Sequence, residues 1–79
     1  SKSNEKNLIK HFHYILGNIT PRELETLYWA ANGLSAKKTA EHLNMSVHTV
    51  HSYRKSCIRK LQANSITHAV YVACQRGLI

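Results

Sequence analysis

A chain of 79 residues is one small domain, able to bury only about 60% of the surface that its unfolded form exposes. Eleven Lys and Arg stand against four acids, a formal net charge of +7, and all four acids are glutamates. That balance leaves no clustered carboxylates for general acid–base pairs, hard-metal sites or phosphoryl transfer, and three scattered glycines build no phosphate-cradling loop.

Ser1 to Asn7 are polar. Leu8, Phe12, Ile15, Leu16 and Ile19 then recur at helical spacing, which predicts a helical or partly ordered arm over residues 1–18, its helix at about 6–17. The domain proper is expected over 19–79. Thr20-Pro21-Arg22-Glu23 is a helix start: Thr20 can accept from an orphan N–H, Glu23 can return the bond, and Pro21 suits the first helical position. The first helix of the domain is therefore expected over 21–32, with Leu24, Leu27, Tyr28 and Ala31 inward and Gly33 as its stop. Ser35 caps a second helix over 36–43, facing inward through Ala36, Thr39, Ala40 and Leu43. Asn44-Met45-Ser46 is a tight connection to a third helix over 47–62. Ala63-Asn64 breaks it, and Ser65 caps a fourth built on Ile66, Ala69, Val70, Ala73 and Cys74, ending at Gly77. The expected fold is all-α, a four-helix bundle containing a helix-turn-helix.

Cys57 and Cys74 give no disulfide framework; both fall inside helical patterns and are expected to be reduced, buried and inert. No apolar run reaches the ~18 residues of a membrane span. The chain begins without methionine or a signal peptide, so it is expected to be a piece of a longer protein whose missing part lies upstream.

The charge is unevenly placed. Residues 1–47 hold six bases and all four acids, whereas residues 48–79 hold Arg54, Lys55, Arg59, Lys60 and Arg76 and no acid. On a wheel at about 100° per residue, Val50, Cys57 and Leu61 of the third helix form one stripe, flanked by Tyr53 and Arg54. The opposite arc, about 100° wide, carries His48, His51, Ser52, Lys55, Arg59 and Gln62. Every one of these can donate a hydrogen bond, and none is acidic. An ordinary wet helix face mixes signs. A donor-only face suits the DNA major groove, whose edges and rims offer guanine O6 and N7, adenine N7, thymine O4 and phosphates. The short connection fixes the second and third helices at a steep angle, so that the second crosses the backbone while the third enters the groove. Ser35, Lys37 and Lys38 mark one helix N-terminus suited to a phosphate, and Ser46 and Thr49 the next.

Ile19-Thr20-Pro21-Arg22-Glu23, Gly33-Leu34-Ser35, Ala40-Glu41, Leu43, Ser46, Thr49-Val50, Lys60-Leu61, Ala69-Val70 and Arg76-Gly77-Leu78-Ile79 together resemble the C-terminal DNA-binding domain of LuxR-type bacterial transcription regulators. The likeness covers residues 19–79 without gaps. It implies a homodimer on a roughly palindromic promoter site, commonly paired through the fourth helix. It also implies an upstream sensory domain, expected to be absent from this chain, that in such proteins often binds an acyl-homoserine lactone in quorum sensing or receives a phosphate. A cytoplasmic, nucleoid-associated setting follows, with RNA polymerase as a further partner. Carried over by position, the base-reading places fall on His51, Ser52 and Lys55, and phosphate contacts near Ser35, Lys37, Thr49 and Arg59. Tyr53 stands where histidine is common and can offer its hydroxyl to a phosphate. Cys57 and Thr39 stand where aliphatic residues are usual, thinning the core by about 1 kcal/mol each.

The competing reading is a helical protein-interaction module without DNA binding, using Ile66, Val70, Ala73 and Cys74 as a sticky face; the same four residues are the expected dimer surface. No nucleophile–base–carboxylate set exists, so no enzyme is expected. Six histidines and two cysteines lack zinc spacing, so no metal and no cofactor is expected. His48 and His51 would gain charge on mild acidification and so tighten DNA binding.

Overall fold

Four helix starts are written into the chain as hydroxyl caps, and the computed structural model, which describes residues 19–79, has a helix at each of them. They are α1 (Pro21–Ala31), α2 (Ala36–Leu43), α3 (Val47–Lys60) and α4 (Ile66–Gln75). No strand occurs among the described residues. The arm expected over 1–18 lies outside them.

Thr20 accepts from the Glu23 N–H at 3.2 Å, and the Glu23 carboxylate accepts from the Thr20 N–H at 2.8 Å, a reciprocal capping box. Ser35 accepts from Lys38 N–H at 3.1 Å, Ser46 from Thr49 N–H at 3.1 Å, and Ser65 from His68 N–H at 3.0 Å. Each such cap contributes about 1 kcal/mol. The ends are equally local. Gly33 (φ 85°) lets the Leu34 N–H turn back to Trp29 O at 3.1 Å, and Asn44 takes the left-handed region at φ 56°. One stop departs from expectation. α3 ends at Lys60 rather than at 62, because Gln62 itself goes left-handed (φ 54°) while the Ala63 N–H bonds Ile58 O at 2.9 Å.

The inner stripe of α3 joins two core clusters. Val50 packs with Ala36 and Ala40 of α2, so α2 and α3 share an interface of small side chains. Cys57 and Leu61 pack with Leu27 of α1 and with Ala69 and Ala73 of α4. Burying Leu27 and Leu61 almost completely contributes about 1.5–3 kcal/mol each.

Three expected placements are corrected. The buried side of α1 is Glu23, Thr26 and Leu27, whereas Tyr28 and Ala31 are exposed. Polar groups can sit inside there because their bonds are made: Thr26 Oγ1 donates to Arg22 O at 2.9 Å, and Glu23 is capped and paired. Cys74 is exposed; only Cys57 is buried. Ala73 is fully buried with Ala69 in the domain's own core, so these alanines let α4 approach α1 and α3, and Ala73 presents nothing to a second copy.

Thr39 is completely buried and its hydroxyl has no hydrogen-bond partner. A desolvated, unbonded hydroxyl is destabilising, and valine has nearly its shape. Thr39→Val should therefore raise the unfolding free energy by about 1 kcal/mol, a gain of about 4–8 °C in Tm by circular dichroism. A lower Tm would mean that the hydroxyl supports the fold.

Candidate nucleic-acid interface

Because Val50, Cys57 and Leu61 are held inward, the helix period turns the other side of α3 outward. His48, His51, Ser52, Lys55 and Arg59 are all exposed along it. Gln62 is exposed too, but it lies past the helix end and so off this face. His48, His51, Ser52 and Lys55 line an open hollow together with Arg54, Ile58 and Ile66.

The expected phosphate contacts are set by the capping geometry. Ser35 and Ser46 each spend their acceptor on the third N–H of the helix that follows, leaving the N–H groups of the first turn outward, with the positive end of the helix dipole. Ser46 and Thr49 also pair their hydroxyls at 2.9 Å. Lys38 sits 3.6 Å from Glu41 in an exposed pair that contributes little. Lys37 has no acid within ion-pair distance among the described residues, so its charge is unmasked. Arg59 is exposed, its guanidinium donating to Ser56 Oγ at 3.3 Å, and Tyr53 is half-buried beside the core stripe. The structure thus gathers His51, Ser52 and Lys55 on one face of α3 and puts Ser35, Lys37 and Lys38 on α2's first turn or its cap. Ile66, Val70 and Cys74 are on α4, and of these only Ile66 lines the hollow beside this face.

All three described glutamates are paired. Glu25 meets Arg22 at 3.2 Å, Glu41 meets Lys38, and Glu23 meets Lys60 at 2.7 Å. The α3 face therefore carries uncompensated donors. Glu23 is the structural anchor. Burial alone would raise its carboxyl, but hydrogen bonds from Lys60, Ser56 and the Thr20 N–H outweigh that and hold it down at about 2. Beside it the Cys57 thiol donates to Glu23 O at 3.4 Å, and burial pushes it up to about 11, which makes it a poor nucleophile.

Two inward contacts escaped the sequence reading. Arg54 Nη2 donates to Leu34 O at 3.0 Å across 20 residues, and Lys60 reaches Glu23 across 37. A signal existed for both. On the wheel Arg54 and Lys60 fall on either flank of the Val50–Cys57–Leu61 stripe, where a charged side chain must find an acceptor.

Residues 17–73 match the family described as bacterial regulatory proteins, luxR family. The chain is 34% identical over 74 residues to the transcriptional activator protein BjaR1 of Bradyrhizobium diazoefficiens, covering 94% of this chain and 31% of that protein. It is 39% identical over 61 residues to the HTH-type quorum sensing-dependent transcriptional regulator VjbR of Brucella abortus, covering 77% of this chain and 24% of that one. It is 41% identical over 61 residues to the transcriptional regulatory protein YdfI of Bacillus subtilis, again over 77% of this chain and 29% of the relative. The chain spans about a quarter to a third of the length of these curated relatives. With four capped helices at the expected places and a match over most of its length, the chain belongs to the luxR family of bacterial regulatory proteins and carries its helix-turn-helix DNA-binding domain.

Proposed function

We propose that this domain binds double-stranded DNA sequence-specifically, as part of a transcription regulator, with α3 in the major groove. The observation that carries this reading is the exposed, acid-free donor face of α3 beside two helix N-termini. His51, Ser52 and Lys55 meet base edges. Ser35, Lys37, Lys38, Ser46, Thr49, Tyr53 and Arg59 hold the phosphates on either side. Binding to mixed-sequence duplex should fall steeply with salt, by a factor of about 10³ between 50 and 200 mM if some six phosphates are neutralised. Affinity insensitive to salt would favour the interaction-module reading.

The domain acts as a dimer on a roughly palindromic site, pairing through α4. Ile66, Val70 and Cys74 remain for that role once Ala73 is assigned to the core; Ile66 and Val70 are partly buried and Cys74 is exposed. Cys74 also makes the idea testable. A short thiol cross-linker should join two protomers through Cys74 when a duplex with two half-sites is present, while buried Cys57 stays unmodified. Cross-linking that is absent, or equal without DNA and in Cys74→Ser, would remove α4 as the contact. The upstream regulatory domain and RNA polymerase are the further partners expected of the whole protein.

A further inference from the structure

The geometry points to Arg54 as a positioning residue, which holds the phosphate-gripping end of α2 in register with the reading face of α3. This inference rests on the DNA-binding reading above. Arg54 belongs to α3, in the same turn as His51, Ser52 and Lys55, but its side chain runs inward. Nη2 donates to the Leu34 carbonyl at 3.0 Å. Leu34 is the residue before Ser35, the N-cap of α2, and it follows Gly33, the left-handed end of α1. One guanidinium thus ties the reading helix to the loop from which the Ser35–Lys37–Lys38 turn starts.

The environment of Arg54 is unusual for a residue that only packs. Its Nε is buried with no hydrogen-bond partner, and no carboxylate pairs with it among the described residues. Arg54 as a whole is half-buried, but a buried N–H left without an acceptor is destabilising. An apolar side chain of similar volume would suit the bundle better, so the fold holds Arg54 at a cost to stability. Arg54 lines both the hollow that His51 and Lys55 share and a second one lined by Gly33, Leu34 and Ser35. Elsewhere α2 and α3 meet through small side chains, Ala36 and Ala40 against Val50, with Met45 alongside. Packing between small side chains is non-directional, and the bond to Leu34 O adds a directional tie at the start of α2.

The test is coupling between residues that do not touch. Duplex affinities are measured by anisotropy for the wild type, Arg54→Met, Lys37→Ala and the double variant. The probes are a duplex selected by the wild type from a random pool and a mixed-sequence duplex. Arg54→Met should weaken both duplexes alike, about tenfold, leave their affinity ratio unchanged, and flatten the salt slope by about 1. Lys37→Ala should cost about fivefold in the wild type and less than twofold beside Arg54→Met. Arg54→Lys, which keeps a donor without the fork, should recover part of the slope. A residue that merely packs would shift Tm and leave both slope and coupling untouched; that outcome, or effects that simply multiply, would overturn the inference. If Arg54→Met does not fold, Arg54→Lys alone decides, an unchanged slope and unchanged Lys37→Ala cost counting against the inference. A wild type without salt-dependent duplex binding would instead defeat the DNA-binding reading itself.

Discussion

Replacing Lys60 by methionine should lower the unfolding free energy by about 3 kcal/mol at pH 7, because removing one partner of a buried ion pair strands the other. Glu23 is nearly inaccessible and Lys60 mostly so, and the pair spans α1 and α3 at 2.7 Å. For a domain of this size the loss is about 12–24 °C in Tm. The pH dependence supplies a second signature. The Glu23 carboxyl sits at about 2 in the folded chain against an ordinary 4.5. Its stabilisation, up to about 3 kcal/mol, is therefore complete above pH 4.5 and disappears as the pH falls through 2. In Lys60→Met the carboxyl loses its main donor and titrates higher, so wild type and variant should differ much less at pH 3 than at pH 7. Urea midpoints at the two pH values check both statements. A loss below about 1 kcal/mol with the same pH profile would mean that the pair does not anchor α3.

Lys55→Ala should weaken the preferred duplex by about 1–3 kcal/mol and relax the sequence preference, while mixed-sequence binding changes far less. Lys55 is exposed at the centre of the α3 face, between His51 and Arg59, one turn from each. On the proposed reading the expected partner of Lys55 is a guanine edge, since O6 and N7 are the acceptors that a long cationic donor reaches in the major groove. Selection from a random pool with wild type and variant measures it. Unchanged selected sequences would assign Lys55 to the phosphates.

Much of this architecture was legible because its signals are local. Thr20, Ser35, Ser46 and Ser65 announce the four starts through their own hydroxyls, and Gly33, Asn44 and Gly77 tolerate the left-handed stops. The exposed face of α3 followed from the spacing of Val50, Cys57 and Leu61, since one helical period fixes both sides at once. What failed depended on contacts between distant residues. Glu23 and Thr26 displaced Tyr28 and Ala31 from the inner face of α1 because Lys60 and backbone partners satisfy them, and that is invisible in the spacing of α1 alone. Gln62 adopts a conformation that its residue type disfavours by about 1–2 kcal/mol, so nothing in its identity marked the end of α3. Ala73 looked equally suited to the core or to a second copy, because a small side chain allows close approach of any helix; the three-dimensional packing places it in the core.

In the proposed complex, α3 presents its outward donors to DNA. Amide and side-chain NMR shifts during titration with a selected duplex test it directly. Large changes are expected at His51, Ser52 and Lys55, smaller ones at the first turns of α2 and α3, and little along the Tyr28 side of α1. Shifts confined to α1 or α4, with the α3 face unmoved at saturation, would contradict it.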